Sequence, residues 1–360
     1  MSDLRVNNIT NSGGGTGPVI AGVSTVASTG FMIMPVGNTE VRGAGSGRGV
    51  SAGGYANPSL TSAIEYITIA TTGNGLDFGD LSQAKNNLGA SASSTRGVFA
   101  GGEAPSPTSY TTQIDYTTIS SSGGVSDFGD LTQARMPFMA NSNDTISIIY
   151  GGYTGVNVNT IDFVTIATTG NASDFGSEFY MKRSCAATGN TTRAVIFGGY
   201  GYTGTFSDQP GPPYQAQSPI GPSSKVEFHN YASRGTGIPF GELSFKVYGA
   251  AGVSNNTRGV FAGGYDYRSP VLDNKNNIEY ITFATEGNGT DFGDLTTARR
   301  SHGGMSNSIR GVFAGGYTPT ILNTMDYITI ASTGNATDFG DLLNIMRSQG
   351  CCSDAHGGLG

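Results

Sequence analysis

Apolar residues in this chain come in short alternating runs bounded by turn residues. In Arg310-Gly-Val-Phe-Ala-Gly-Gly-Tyr317, Val312 and Ala314 fall on one face and Phe313 on the other. That pattern suits a strand packed between two neighbouring sheets. The runs around it (300–307, 325–331 and 334–342) are equally short, rich in β-branched and aromatic residues, and bounded by Gly, Asn or Ser. Together they predict four antiparallel strands, A to D, of one meander.

The unit recurs. Phe78, Phe128, Phe175, Phe240 and Phe292 are each followed 23 residues later by the first glycine of a doublet, at Gly101, Gly151, Gly198, Gly263 and Gly315. Phe339 would need a doublet beyond Gly360, and the one left over is Gly53-Gly54 near the other end. Strand C begins 14 residues before each phenylalanine and carries one acid at its second position: Glu65, Asp115, Asp162, Glu227, Glu279 or Asp326. Four short strands repeating every 40–50 residues describe the blades of a β-propeller. Six doublets predict six blades. Strand A of the first blade must then come from 347–353, which closes the ring and leaves no long unpaired edge.

The fold expected is therefore all-β: a six-bladed propeller over residues 44–360, closed by a C-terminal strand and preceded by a short extended segment, 1–43. Only the connection from the doublet to strand C varies, with 9, 11, 8, 26, 13 and 8 residues. In a meander the B–C and D–A connections share one face of the disc, so one face is variable and the other uniform. Variable loops on a rigid scaffold are where recognition resides. The long insertion, 200–225, offers Tyr200, Tyr202, Phe206 and Tyr214, and the neighbouring 266–277 loop adds Tyr267 and Arg268. These six are the candidate ligand-binding residues, with ring faces suited to sugars and prolines that limit the entropy lost on binding.

Composition narrows the function classes. A net charge of −7 and only 12% charged residues argue against a nucleic-acid surface. No run approaches the ~20 apolar residues of a membrane span, and the N-terminus lacks the basic start and apolar run of a signal peptide. Three cysteines, Cys185, Cys351 and Cys352, are no disulfide framework and point to synthesis in a reducing cytoplasm.

Candidate chemistry mostly dissolves into repetition. Asp-Phe-Gly, a kinase motif when single, occurs at Asp77, Asp127, Asp174, Asp291 and Asp338, and five copies mean a structural turn. In Asp-Phe-Gly-Asp the acids are expected to cap backbone amides. The strand C acids could hold a cation only if they faced the axis. Their expected partners are Arg48, Arg96, Arg193, Arg258 and Arg310 at the start of strand B, an arginine that blade three lacks. His229, His302 and His356 belong to three different blades. No catalytic residue, metal or cofactor is expected.

The run Arg, Gly-Val-Phe-Ala-Gly-Gly-Tyr, variable loop and acidic-aromatic strand resembles the kelch repeat over residues 48–360, with Phe78 and its equivalents where kelch units place a tryptophan. The resemblance implies a binding platform more often than an enzyme. The first 43 residues, with 4–11, Gly17-Pro-Val-Ile-Ala-Gly-Val and Ser28-Thr-Gly-Phe-Met-Ile-Met-Pro, resemble the N-terminal leaders of virion proteins of tailed bacteriophages, cyanophages especially. That resemblance implies attachment to other virion proteins, through Leu4, Val6, Ile9, Val19, Ile20 and Phe31. It also implies homo-oligomers in the particle and a propeller that binds a host-surface glycan or protein. A capsid or tail decoration protein is the alternative, and a glycan-processing enzyme a third.

Overall fold

The computed structural model describes residues 24–25, 32–33, 47–107, 109–202, 220–266 and 273–359. It is a six-bladed propeller of four-stranded antiparallel blades. Blade one joins Arg48–Ala52, Ala63–Thr68 and Leu76–Asp80 (strands B, C and D) to a strand A from the C-terminus, Gly350–Ser353. Blade two comprises Gly89–Ala92, Arg96–Ala100, Gln113–Thr118 and Ser126–Asp130. Blade three comprises Ala140–Ser142, Ile146–Ile149, Thr160–Thr165 and Ser173–Ser177. Blade four has Ala186–Gly189 and Arg193–Phe197 followed by two longer strands, Ile220–Asn230 and Ile238–Val247. Blade five comprises Ala251–Ser254, Arg258–Ala262, Asn277–Thr282 and Thr290–Asp294. Blade six comprises Gly303–Ser306, Arg310–Tyr317, Ile321–Thr329 and Thr337–Asp341.

Closure is as expected, with Val50 opposite Cys352 and Ser51 opposite Cys351 in antiparallel register. The alternation in strand B also has its expected result. Phe313 enters the apolar cluster between blades five and six, with Val260 and Phe292. Val312 and Ala314 enter the next one, with Ile67 of blade one and Phe339. Each repeated phenylalanine is buried and meets an aromatic of strand C edge-on; Tyr66–Phe78 centroids are 6.1 Å apart and Tyr327–Phe339 6.0 Å. Strand B stops at or just before the glycine doublet in five blades, while in blade six it bulges there and continues to Tyr317. Glycine is needed because the chain leading to the next blade is too close. A Cβ on Gly53, at φ +63°, would lie 2.4 Å from the Lys85 carbonyl, while the Gly54 N–H donates to that carbonyl at 2.8 Å.

The strand B arginines do not pair with the strand C acids. Arg48, Arg96, Arg258 and Arg310 lie 4.3–4.8 Å over the rings of Tyr66, Tyr116, Tyr280 and Tyr327, and Arg193 lies 4.5 Å over Phe228. Their guanidiniums donate to carbonyls at the end of strand C in the following blade, such as Ile119 from Arg48 and Ala70 from Arg310. The reason is register. Arg48 stands opposite Thr68, whereas Glu65 stands opposite Ser51, well along the strand.

Candidate binding face

The two ends of the propeller axis are built differently. On the uniform face the chain end crosses the channel. His356 Nε2 lies 3.3 Å from the Ser142 hydroxyl and 3.0 Å from the Ala92 carbonyl, of blades three and two. Gly357 then approaches the Asn255 carbonyl of blade five so closely that a Cβ would lie 2.3 Å away. Serines at the ends of strand A bind the blades together there, with Ser254 donating to Gly189 O, Ser306 to Ser254 O and Ser353 to Ser306 O. The axial cavities are small, about 50 and 70 Å³, and mostly lined by Ala, Gly, Ser and Cys.

On the variable face a crown of tyrosines and arginines surrounds the other mouth. In five of six units the doublet is followed by tyrosine: Tyr55, Tyr153, Tyr200, Tyr265 and Tyr317. Each pairs by a backbone bridge with a residue of the D–A connection in its own blade, namely Arg347, Met136, Arg183, Tyr248 and Arg300. These connection residues also reach back to the preceding blade. Arg183 lies 5.2 Å over Tyr200 and 4.3 Å over Tyr153. Arg300 lies 5.0 Å over Tyr317 and 4.0 Å over Tyr265, and Arg347 4.9 Å over Tyr55 and 5.3 Å over Tyr317. Tyr248 plays the same part with rings, 5.7 Å from both Tyr200 and Tyr265. Tyr110 ends the arc against Tyr153 at 6.2 Å. Blade two breaks it, with Glu103 paired to Asn86.

Apart from the buried Met136, these arc residues are partly exposed. The strand B arginines spend their N–H groups on carbonyls. Arg183, Arg300 and Arg347 instead form no side-chain hydrogen bond or ion pair among the described residues, and the Arg347 Nε is buried without a partner. A further concavity of about 350 Å³ lies between the A–B turns of blades four and five. Its polar groups are committed, with Asn190 donating to Asn256 O and Arg193 to Phe283 O.

Of the candidate ligand residues, Tyr200 stands in the crown. Tyr202 closes the same short strand, Tyr200–Tyr202, which pairs with Ile220–Asn230. Phe206, Tyr214, Tyr267 and Arg268 lie outside the described residues, as do Leu4, Val6, Ile9, Val19, Ile20 and Phe31. The crown strands Tyr200–Tyr202 and Tyr265–Asp266 directly precede the two long connections in the sequence. Reading the loops alone missed Arg183, Tyr248, Arg300 and Arg347. The Gly-Gly-Tyr repeat was their only sequence signal.

The strand C acids point into blade interfaces, where each holds the D–A connection entering its own blade. Asp115 pairs with Lys85 at 3.0 Å, Asp162 with Arg135 at 2.9 Å and Asp326 with Arg299 at 2.5 Å, all buried. Where the base is replaced by Met346 or Val247, the acid is the longer Glu. Glu65 accepts the Leu343 and Asn344 N–H groups, and Glu279 the Ser244 N–H and hydroxyl. Burial pushes both carboxyls above the ordinary range. The turn acids also differ from expectation. Asp80 and Asp130 accept the Ser62 and Thr112 hydroxyls, and it is Asn171 of the following blade that caps the Asp130 N–H.

Blade four is the exception, with Glu227, Glu178 and Lys182 buried together between blades three and four. Burial first, then the charge of Glu227, pushes Glu178 well above the carboxylate range. His229, in contact with Tyr150 and Phe175, is held down to about 4 by burial. Among the described residues no three His, Cys, Asp or Glu converge as metal ligands, and no helix is long and apolar enough to cross a membrane.

No family model matches this chain, and no curated protein matches it.

Proposed function

We propose that this chain is a binding platform of a tailed-phage particle: residues 1–43 attach it to other virion proteins, and the variable face of the propeller meets the host surface. One observation carries the binding reading. One mouth of the axis is sealed by the chain's own tail, while the other is rimmed by a partly exposed crown that holds three arginines with unspent donors. Loops of variable length rise from that same rim, the arrangement by which a rigid scaffold carries recognition. Repeated copies on a particle would bind by avidity, so a deep pocket is not required. The virion assignment rests on the resemblance of the first 43 residues to phage leaders, and the absence of an enzymatic role on the lack of any catalytic constellation in the sequence.

The test is gold labelling of the purified particle with a serum against the propeller, combined with adsorption assays in the presence of the full-length protein. Label on the tail or its fibres, with adsorption reduced by the free protein, supports the reading. Label over the shell and no competition at saturating concentration would replace it with a decoration protein whose crown contacts other subunits.

A further inference from the structure

The crown is chemically odd for an aromatic sugar site. Neutral sugars bind by laying a face on an open ring. Here the rings are already covered, Tyr153 and Tyr200 by Arg183 and Tyr317 by both Arg300 and Arg347. What the crown presents is the rim of the guanidiniums, planar forks of N–H donors that match carboxylate and sulfate oxygens two at a time. Stacking on tyrosine holds each fork in place before a ligand arrives, which lowers the entropy lost on binding.

We infer that the crown binds an acidic polysaccharide, with its oxyanions against Arg183, Arg300 and Arg347. This deepens the binding-platform reading and rests on it. A chain fits better than a small anion because the three arginines belong to three blades and line neither of the axial cavities, so no single enclosed pocket, typically roughly 300 Å³ or more for a small ligand, gathers their forks. Arg300 and Arg347 share Tyr317, so two oxyanions of one chain meet neighbouring forks. Glu103 puts a carboxylate at the sixth position of the ring. It repels the same ligand, so the chain follows the arc from blade three round to blade one and stays clear of blade two.

The experiment titrates the full-length protein with fluorescent chains of about ten sugars: oligogalacturonate, sulfated dextran and neutral dextran. A charged chain is expected to bind, and to weaken at least tenfold as NaCl rises from about 50 to about 500 mM. R183Q/R300Q/R347Q is expected to lose at least tenfold in affinity with an unchanged melting curve, and E103Q to gain severalfold. R183K/R300K/R347K guards against misfolding of the neutral variant. It keeps the charge and loses the fork, so it should bind more weakly than wild type while remaining salt-sensitive. Preference between the uronate and sulfated chains identifies the acid. Equal binding of neutral dextran, or salt-independent binding, overturns the inference. A protein that adheres to the host cell and binds neither charged chain also overturns it, with the platform reading intact. One that adheres to no cell overturns the platform reading itself.

Discussion

Arg234 reaches out of the C–D turn of blade four to lie 4.2 Å over the ring of Phe163 in blade three. Blade three has Ile146 where four of the other blades place an arginine over a tyrosine and blade four places one over Phe228. The neighbouring blade therefore supplies the missing cation from another part of the repeat. The same turn adds Gly235–Thr236 as a parallel strand beside Gly176 and Ser177, which brings Arg234 within reach.

R234A is expected to lower stability by about 0.5–1 kcal/mol, the size of an exposed cation–π contact. A double-mutant cycle with F163L in urea unfolding isolates the pair. R48A should cost more, since Arg48 also donates to the Ile119 carbonyl at 2.8 Å. Equal effects for R234A in wild-type and F163L backgrounds would show that the contact contributes nothing.

The blade interfaces use two interchangeable ways of holding the D–A connection. R299M alone leaves Asp326 buried with only Thr296 as partner and is expected to cost about 3–5 kcal/mol. R299M/D326E copies blade one, where Glu65 caps two N–H groups beside Met346. It should recover at least half of that loss, read from the urea midpoint.

The buried histidines make the fold sensitive to acid. Burial first, then the Arg299 charge, holds His302 down to about 3. The unfolded chain therefore takes up a proton near pH 6.5 that the native state refuses. The stability from a neutral His302 is complete above pH 6.5 and falls by about 1.4 kcal/mol per pH unit as the pH drops toward 3. H302L lacks this loss, so the stability difference between wild type and variant should shift in the variant's favour across that window.

Glu178 acts in the opposite sense. Its folded value lies above the unfolded one, so the native state holds the extra proton and stability falls as pH rises from about 4.5 through the folded value. E178Q is expected to gain on wild type as pH rises from 4 to 7, as measured by thermal melts at each pH. A gap independent of pH would mean that Glu178 titrates as an exposed carboxylate.

Two of the three thiols, Cys185 and Cys352, should be silent in the native protein. Burial pushes Cys351 up to about 12 and raises Cys185 and Cys352 as well, which removes the reactive thiolate. Cys185 and Cys352 are also buried, whereas Cys351 is partly exposed beside the axial cavities. Ellman's reagent should therefore find Cys185 and Cys352 only after denaturation, and a fast reaction at either in the native protein would contradict their burial.

Much of this architecture is legible along the chain because it is local. The spacing from Phe78 to Gly101, the single acid of each strand C and the one variable connection all follow from strands and turns that repeat at fixed length. Closure by Cys351–Cys352 follows from counting doublets. What the sequence by itself could not determine was which side chains meet across blades. The strand B arginines and the strand C acids were natural partners by charge, yet register sets Arg48 over Tyr66 and hands the Glu65 carboxylate to Leu343 and Asn344. The crown was hidden for the same reason. Tyr317 and Arg347 belong to different blades and touch only because six sheets, each packed on the next, bring the same two connections of every unit to one rim of one axis.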